Sequence, residues 1–552
     1  MKGMKKLLSI LMVLTLVLSL GATAFASGDL DMTPQEGRDA KQVVVTLPAE
    51  YKTHTMVAYQ IFTGAQKAGD DGSEQNQLGV TGWADGVDFA NLLGALAEKY
   101  PDNFKTDMNA AAAAKAINDL NLSGTAAYEF ATIVAKHVSG DGVTFNKSGE
   151  KPTATLGSGY WIIIDKTEDV EDKTGFAYSA YLLQVVGDEG QIPVTPKFDV
   201  PTVDKQVGDQ NDSEVGQMTW GEVADWDMGD KVPFKITATM PSTLEGYTSY
   251  KLVFHDTMSK GLTLDQNSIT LKVGEKTIDR QNYNITTGTI GTGEKAVTTI
   301  TITIADALAE TIGATAGSVI TVEYEATLDK TTNGVPRYGI PNEVYLEYSN
   351  NPNGEGAGTT TKDKVVVFYF SLGVEKVQPD GQGGTKALDG AGFTLYKHDA
   401  DAEGEDKWVQ VGEEVMVEVN ADARYVASFN GLDQGRYKLV ESTVPAGYNK
   451  ADDIEFTVEA TYNDETGENT TVKSLTIKDS AGNVISGAND DEGKPFTAGQ
   501  GSIRTTVLNS SGLELPETGG IGTTIFYVAG AVLAAAALVL LVTKRRVNGA
   551  EK

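Results

Sequence analysis

Residues 318–328 read SVITVEYEATL, a β-branched and aromatic run of the length of one strand. Similar runs lie on both sides of it and are separated by Gly, Asn and Asp turns: VPFKITATMP at 232–241, YKLVFHD at 250–256, AVTTITITIA at 296–305 and EVYLEYSN at 343–350. Short strands at this spacing are typical of a β-sandwich. We therefore expect residues 201–368 to form such a domain.

Two further β-rich segments flank this one. The segment at 27–200 opens with KQVVVTLP at 41–48 and closes with SAYLLQVV at 179–186, both strand-like. Between them lie stretches rich in Ala and Leu with apolar residues at helical spacing, at 87–100, 108–121 and 126–138. The segment at 369–512 contains strand-like runs throughout. The pattern predicts a mainly β protein of tandem domains, the first with a helical insertion.

The two ends of the chain carry export and membrane signals. Residues 1–26 have a basic start, an apolar stretch and an Ala-x-Ala cleavage site, which is the pattern of a secretory signal peptide. Residues 521–542 contain no charge and are long enough for a single transmembrane helix of about 20 residues. The basic tail at 543–552 follows at once and indicates the cytoplasmic side. We expect the body of the protein to lie outside the cell.

Composition narrows the function classes. A length of 552 residues predicts about three domains at roughly 100–200 residues each. The net charge of −31 makes nucleic acid a poor partner, and solubility is the simpler explanation of the acidic surface. The chain has no cysteine, so a disulfide, a zinc thiolate site and a cysteine nucleophile are excluded. Small exported domains usually need a covalent cross-link, so any cross-link within this chain must be something other than a disulfide.

Two motifs resemble ligand sites but depart from their patterns. GTIGTGEK at 288–295 has Glu294 where a phosphate loop needs lysine, and it lies between two strand-like runs, which favours a hairpin turn. DADAEG at 399–404 begins like a calcium loop, but Glu403 and Gln410 replace expected ligands. The four histidines form no HExxH motif, and no GxSxG motif occurs. The sequence supports no turnover enzyme, and we expect neither cofactor nor metal.

Residues 515–519 read LPETG directly before the apolar span and the basic tail. Leu515, Pro516, Glu517, Thr518 and Gly519 match the sortase motif in full, and the chain as a whole resembles the LPxTG-anchored major (shaft) pilins of Gram-positive bacteria. The resemblance implies Ig-like domains of the CnaA and CnaB types in a secreted, cell-wall-anchored fimbrial subunit. It implies as partners a pilin-class sortase, a housekeeping sortase, identical subunits, accessory pilins and peptidoglycan, and it leaves the host ligand open.

One alternative from another class is a monomeric cell-wall-anchored adhesin of the MSCRAMM type that is never polymerised. A tip or basal pilin is a further alternative. The modest size of the chain, with no extra binding domain at its N-terminus, speaks against a tip adhesin.

The segment at 369–512 resembles a CnaB-type domain. LGVEKVQPDG at 372–381 matches the first strand and its reactive lysine, Lys376; YKLVESTVPAGY at 437–448 matches the E-box and its acid, Glu441. TVLNSSG at 506–512 matches the last strand and its asparagine, Asn509. In that family the lysine and asparagine condense spontaneously to an isopeptide bond. Burial suits this reaction, since it depresses the pKa of the amine from about 10.4 and raises that of the acid.

The segment at 201–368 resembles a CnaA-like domain more loosely. PTVDKQV at 201–207 offers Lys205, IPNEVYLEY at 340–348 offers Asn342, and FHDTMSKGLT at 254–263 offers Asp256 as the acid. The resemblance implies a second isopeptide bond, and an unlinked sandwich is the alternative. In the first segment the closing run contains no asparagine, so we expect no such bond there.

In shaft pilins a lysine in a YPKN-like motif receives the next subunit. The corresponding stretch here reads QIPVTPKFDVPTVDK at 191–205, where Pro-Lys is kept and Thr195 and Phe198 replace Tyr and Asn. The candidate acceptor is Lys197, in a Pro-bounded linker that would expose its amine. Lys205 is the second candidate. The resemblance implies that sortase cuts after Thr518 and joins it to the acceptor amine of a neighbour.

Overall fold

The computed structural model describes residues 42–511, apart from gaps at 68–76, 121–123, 168–173, 176, 179, 186–190, 194–198, 217, 243, 245–246, 330–338, 353–355, 404–406, 421, 465, 468 and 490–500. The described residues divide into two compact units. One takes residues up to Gln206 with Pro233–Ala326 and Pro341–Val365. The other takes Val207–Val232, Thr327–Ile340 and residues from Val366 onward.

The N-terminal part of the first unit contains two small sheets. Its strands are β1 (Gln42–Thr46), β2 (Met56–Lys67), β3 (Gln77–Trp83), β4 (Val143–Thr144), β5 (Thr153–Gly157), β6 (Gly159–Asp165), β7 (Ala180–Val185) and β8 (Gln191–Pro193). One sheet has the order β5-β1-β8, and the other has the order β3-β2-β6-β7 with β4 beside β2. The first strand, β1, pairs in parallel with the last, β8.

Three helices lie between β3 and β4: α1 (Phe89–Lys99), α2 (Ala110–Asp119) and α3 (Gly124–Ala135). Asp88 and Asn109 cap α1 and α2 by accepting backbone N–H bonds from Asn91 and Ala112. The helices bury Leu92, Leu96, Ala113 and Phe130 in one core with Ile162 of β6. The helical insertion expected from sequence is present at its expected place.

The middle of the chain forms two facing sheets. Its strands are β9 (Thr202–Asp209), β10 (Thr219–Gly221), β11 (Val223–Asp225), β12 (Lys231–Thr239), β13 (Leu252–Ser259), β14 (Leu262–Leu264), β15 (Thr270–Val273), β16 (Lys276–Thr277), β17 (Asn284–Ile290), β18 (Val297–Ile304), β19 (Val319–Leu328), β20 (Ile340–Ser349), β21 (Ala357–Thr359) and β22 (Asp363–Phe368). The sheet orders are β10-β9-β12-β19-β15-β16, with β14 beside β19, and β11-β22-β20-β13-β18-β17, with β21 beside β20. Alternate residues are buried along β12, β19 and β20, as expected for strands that pack one face on a core.

The C-terminal part is a second pair of sheets within the other unit. Its strands are β23 (Phe370–Pro379), β24 (Thr385–Ala387), β25 (Gly392–His398), β26 (Trp408–Met416), β27 (Glu418–Val419), β28 (Tyr425–Leu432), β29 (Gly435–Thr443), β30 (Ile454–Tyr462), β31 (Val472–Asp479), β32 (Val484–Asn489) and β33 (Ser502–Leu508). The orders are β24-β23-β28-β27, with β33 beside β23, and β26-β25-β29-β30-β31-β32. The last strand, β33, runs parallel to the first, β23. An apolar core that includes Leu372, Phe393, Tyr437 and Ile503 fills the space between the sheets.

The mainly β architecture of tandem sandwiches is confirmed. The two compact units do not follow the three sequence segments one for one, and the boundaries at 200 and 368 stay predictions. Within the described ranges no helix has the length and apolarity of a membrane span. The predicted signal peptide at 1–26, the sorting motif at 515–519, the span at 521–542 and the tail at 543–552 lie outside those ranges.

Candidate functional site

Three polar residues meet inside the C-terminal sandwich. Lys376 lies on β23, Glu441 on β29 of the facing sheet, and Asn509 directly after β33. The parallel register pairs Lys376 with Val507, and the Asn509 N–H donates to the Val377 carbonyl at 3.0 Å. The pairing of first and last strands therefore brings together two residues far apart in sequence. All three side chains are buried, with exposed fractions of 0%, 2% and 1% for Lys376, Glu441 and Asn509.

The contacts within this site link amine, acid and amide. The Lys376 amine donates to Asn509 Oδ1, and its Nζ lies 2.9 Å from Glu441 Oε1. The Asn509 amide nitrogen donates to both oxygens of Glu441, at 2.8 and 3.1 Å. The Ala451 N–H donates to Glu441 Oε2 at 2.6 Å and fixes the carboxyl group. One carboxyl group is thus in contact with both the lysine amine nitrogen and the asparagine amide nitrogen.

The surroundings favour the neutral amine. Burial lowers the pKa of Lys376, and the hydrogen bond to Glu441 opposes that shift only in part. The centroid of the Phe393 ring lies 5.4 Å from Lys376 Nζ, so an apolar ring borders the amine. Because an amine attacks only through its unprotonated form, this direction of the shift suits a nucleophile.

A second set of polar residues meets inside the middle sandwich. Lys205 lies on β9 of one sheet, while Asp256 on β13 and Asn342 on β20 belong to the facing sheet. The antiparallel register pairs Asp256 with Val344 and Met258 with Asn342, so the acid and the amide are diagonal neighbours on one face. The Lys205 amine donates to Asp256 Oδ2. The three side chains are buried.

Tyr324 of β19 joins this second site, and the sequence analysis did not identify it. Its hydroxyl accepts from Lys205 Nζ at 2.9 Å and from Asn342 Nδ2 at 2.8 Å, and it donates to Asp256 Oδ2 at 2.8 Å. Its ring stacks on Phe234, with centroids 5.3 Å apart. The alternation along β19 places Tyr324 on the inward face, which was the signal available in SVITVEYEATL.

Burial dominates the ionisation of the middle site. It lowers the pKa of Lys205 and raises the pKa of Asp256, although the attraction between the two groups opposes both shifts. Burial likewise raises the pKa of the Tyr324 hydroxyl well above its usual value. Both shifts act against the charged pair, because a buried ion pair is costly to desolvate.

A third buried lysine, Lys397 on β25, has a different environment. Its Nζ lies 2.8 Å from Asp212, 2.6 Å from Asp227 and 2.8 Å from Asp433. Burial alone would lower its pKa, but the charges of these three carboxylates together raise it well above the ordinary value. Lys397 therefore stays protonated and acts as a structural cation, whereas Lys205 and Lys376 have the lowered pKa that a nucleophile needs.

One group of carboxylates could in principle hold a cation. Ligand oxygens of Asp212, Asp227 and Asp230 lie within 4.8 Å of one another. The Lys397 ammonium already contacts Asp212 and Asp227 and supplies positive charge at this place. A metal would have to displace that ammonium, so the residues present do not favour a metal site.

The remaining predicted site residues lie outside the described ranges. These are Lys197, the candidate acceptor, and the motif Leu515, Pro516, Glu517, Thr518 and Gly519. The structure brings together Lys376, Glu441 and Asn509 in one site. It brings Lys205, Asp256 and Asn342 together in the other, with Tyr324 between them.

Comparison with known proteins gives three matches to family models. Residues 228–352 match a Gram-positive pilin backbone subunit 2, Cna-B-like domain. Residues 371–474 match a prealbumin-like fold domain, and residues 509–549 match the LPXTG cell wall anchor motif. The first description names a Cna-B-like domain where the sequence resemblance pointed to the CnaA-like type.

Individual proteins give matches of low identity. The trypsin-resistant surface T6 protein of Streptococcus pyogenes serotype M6 is 23% identical over 434 residues, which cover 69% of this chain and 73% of that protein. The solved T6 backbone pilin of S. pyogenes is 15% identical with a TM-score of 0.46, covering 86% of this chain and 100% of that one. The major pilin SpaD of Corynebacterium diphtheriae is 15% identical with a TM-score of 0.44, covering 87% and 100%.

Proposed function

We propose that the chain is an LPXTG-anchored backbone (shaft) pilin subunit of the Gram-positive type, and that its two buried Lys–Asn pairs condense into intramolecular isopeptide bonds. As a major pilin it is displayed on the cell surface and attached to the cell wall. The observation that carries the proposal is the C-terminal site, where a buried amine touches a buried amide and one carboxyl group touches both.

The reaction follows from the contacts. Glu441 takes a proton from the Lys376 ammonium, and the free amine attacks the Asn509 side-chain carbonyl carbon. A new C–N bond forms, the bond to the amide nitrogen breaks, and the second proton of the attacking nitrogen passes to the departing one. Glu441 is placed to carry it, because it contacts both nitrogens. Ammonia leaves, and no oxidant or cofactor is needed.

The bond would close the sandwich at a mechanically useful position. It would join β23 to the residue that follows β33, the first and last strands of the C-terminal part. Tension that enters along β23 would cross directly from Lys376 to Asn509 and leave toward the sorting motif. The residues between them would carry no load, which suits a shaft subunit. The isopeptide bond would thus take the place of the disulfides that a chain without cysteine lacks.

Between subunits, the proposed linkage joins Thr518 to Lys197. A pilin-class sortase would cut after Thr518 and hold it as a thioester, which the Lys197 amine of the next subunit would resolve. A housekeeping sortase would transfer the last subunit to peptidoglycan, and accessory pilins would join the same fibre. The chain itself would be a substrate, and its own chemistry would be limited to the two intramolecular condensations.

Polymerisation is tested in the expressing cell with Lys197→Ala. Boiled cell-wall extracts of the unaltered strain should show a ladder of high-mass species on immunoblots, and the variant should show a single band. Lys52→Ala is the matched control, because Lys52 is an exposed lysine elsewhere in the N-terminal part of the chain. A ladder that persists in Lys197→Ala would reject Lys197 as the acceptor, and a single band in the unaltered strain would favour the monomeric adhesin.

A further inference from the structure

The two sites differ in how the acid reaches the amide. In the C-terminal site Glu441 accepts directly from Asn509 Nδ2, at 2.8 and 3.1 Å. In the middle site Asp256 is one methylene shorter, and its Oδ2 contacts Lys205 and Tyr324. Its Oδ1 has no hydrogen-bond partner among the described residues, so the acid has no direct hydrogen bond to Asn342. The Tyr324 hydroxyl occupies the gap and contacts Asn342 Nδ2 at 2.8 Å.

We propose that Tyr324 is a catalytic residue of the Lys205–Asn342 condensation, in which its hydroxyl passes a proton from the attacking lysine nitrogen to the departing amide nitrogen. The inference rests on the proposed intramolecular bond. In the C-terminal site the longer Glu441 side chain would perform this proton transfer alone, and in the middle site the proposal assigns it to Tyr324.

One relay step through Tyr324 accounts for every proton that moves in the Lys205–Asn342 condensation. Asp256 first takes a proton from the Lys205 ammonium, which leaves a neutral amine and a carboxylic acid. The amine attacks the Asn342 side-chain carbonyl carbon, and its nitrogen becomes positively charged and must lose one of its two remaining protons. Tyr324 accepts that proton from Lys205 Nζ, 2.9 Å away, and gives its own to Asn342 Nδ2. The C–N bond to this nitrogen breaks, ammonia leaves, and Tyr324 ends as it began.

The position of the hydroxyl suits this role. Tyr324 is buried and stacked on Phe234, so its ring holds the oxygen still between the two nitrogens. The hydroxyl donates to Asp256 in the resting site, and a protonated Asp256 can return that hydrogen bond while Tyr324 gives up its proton. Because the phenol strongly favours its neutral form here, acceptance and donation must occur together, and no free phenolate forms.

The test uses Tyr324→Phe, which removes the hydroxyl and keeps the stacked ring. The processed chain, Ser27 to Thr518, is purified unfolded from inclusion bodies and refolded by dilution, and its intact mass is followed over time. Wild type should lose about 17 Da twice, once for each bond. Tyr324→Phe should form the Lys376–Asn509 bond at the wild-type rate. It should form the Lys205–Asn342 bond about 100-fold more slowly, within the range for a lost proton-transfer group. Asp256→Asn should lose about 17 Da only once, for the Lys376–Asn509 bond.

The matched control is Tyr348→Phe, another buried tyrosine of the same sandwich. It should form both bonds at the wild-type rate. Equal rates for Tyr324→Phe and wild type would overturn the relay while leaving the bond itself intact. A wild-type chain that never forms the Lys205–Asn342 bond, seen as a single 17 Da loss that Lys205→Ala does not change, would instead refute the middle bond.

A second substitution keeps the test decisive if the phenylalanine variant folds poorly. Replacement of Tyr324 by 3-fluorotyrosine keeps the ring and the hydroxyl but makes the phenol more acidic. The relay predicts a shifted pH dependence for formation of the Lys205–Asn342 bond. The pH dependence of Lys376–Asn509 bond formation should stay unchanged. A tyrosine that only fills space would leave both pH profiles unchanged, and that result would overturn the proposal.

Discussion

Replacing Glu441 by glutamine removes the proton acceptor of the C-terminal site and keeps the size and shape of the side chain. The variant should not form the Lys376–Asn509 bond, because no other carboxyl group contacts the two nitrogens among the described residues. Its mass should therefore lie about 17 Da above that expected for a fully bonded chain with the same substitution. The middle site should react as in wild type.

The loss of stability follows from the sequence separation. Lys376 and Asn509 are 133 residues apart, and the chain-entropy model gives about 5 kcal/mol for a cross-link closing a loop of this size. A glutamine amide facing Asn509 Nδ2 would add about 1–3 kcal/mol for an unsatisfied group. At about 2–4 °C for each kcal/mol, the cross-link term alone lowers the melting temperature of this unit by about 10–20 °C.

The assay is scanning calorimetry with intact-mass spectrometry on the same sample. Glu455→Gln is the matched control, since Glu455 is exposed on β30 of the same sandwich, and it should change neither the bond nor the melting temperature. The double variant with Lys376→Met should lose no further cross-link energy, because the bond is already absent. A Glu441→Gln chain with the wild-type bond and melting temperature would refute the acid's role.

Two further predictions concern the carboxylates of the second unit. Lys397→Met should destabilise this unit by about 3–5 kcal/mol in denaturant titrations, because it leaves three carboxylates around an uncharged side chain; no change in stability would show that Lys397 is dispensable. Burial and the charge of Asp225 raise the pKa of Asp209 to about 7. The native state then binds this proton more tightly than the unfolded state, so the contribution is complete below about pH 4 and is lost as pH rises through 7. Calorimetry of wild type against Asp209→Asn between pH 4 and 8 should show this extra loss in wild type only, and parallel curves would contradict it.

The sequence was informative where short motifs carry the chemistry. Lys376, Glu441 and Asn509 lie in strand-like runs whose order resembles a known family, and the structure places their side chains together. The helical insertion was predictable because apolar residues recur at three- and four-residue spacing between 87 and 138. Local pattern was sufficient for the helices, whereas the three site residues could be named only through the resemblance to a known family.

The sequence was uninformative where long-range packing decides the role. Tyr324 is one aromatic residue among several in alternating strands, and only the facing sheet shows that its hydroxyl lies between Lys205 and Asn342. Lys397 and Lys376 both lie in buried strands, yet one contacts three carboxylates and the other a carboxyl group and an amide. Their opposite pKa shifts come from residues distant in sequence, so no local pattern distinguishes a structural lysine from a nucleophile.

The central claim is that buried lysine and asparagine side chains condense inside a shaft pilin. Tandem mass spectrometry of tryptic peptides from the assembled fibre tests it most directly, because it identifies each joined pair of residues. We predict branched peptides that join Lys376 to Asn509 and Lys205 to Asn342, each about 17 Da lighter than the sum of its two parts. Trypsin cleavage after Lys376 and Lys205, with both asparagines recovered in unmodified linear peptides, would contradict the claim.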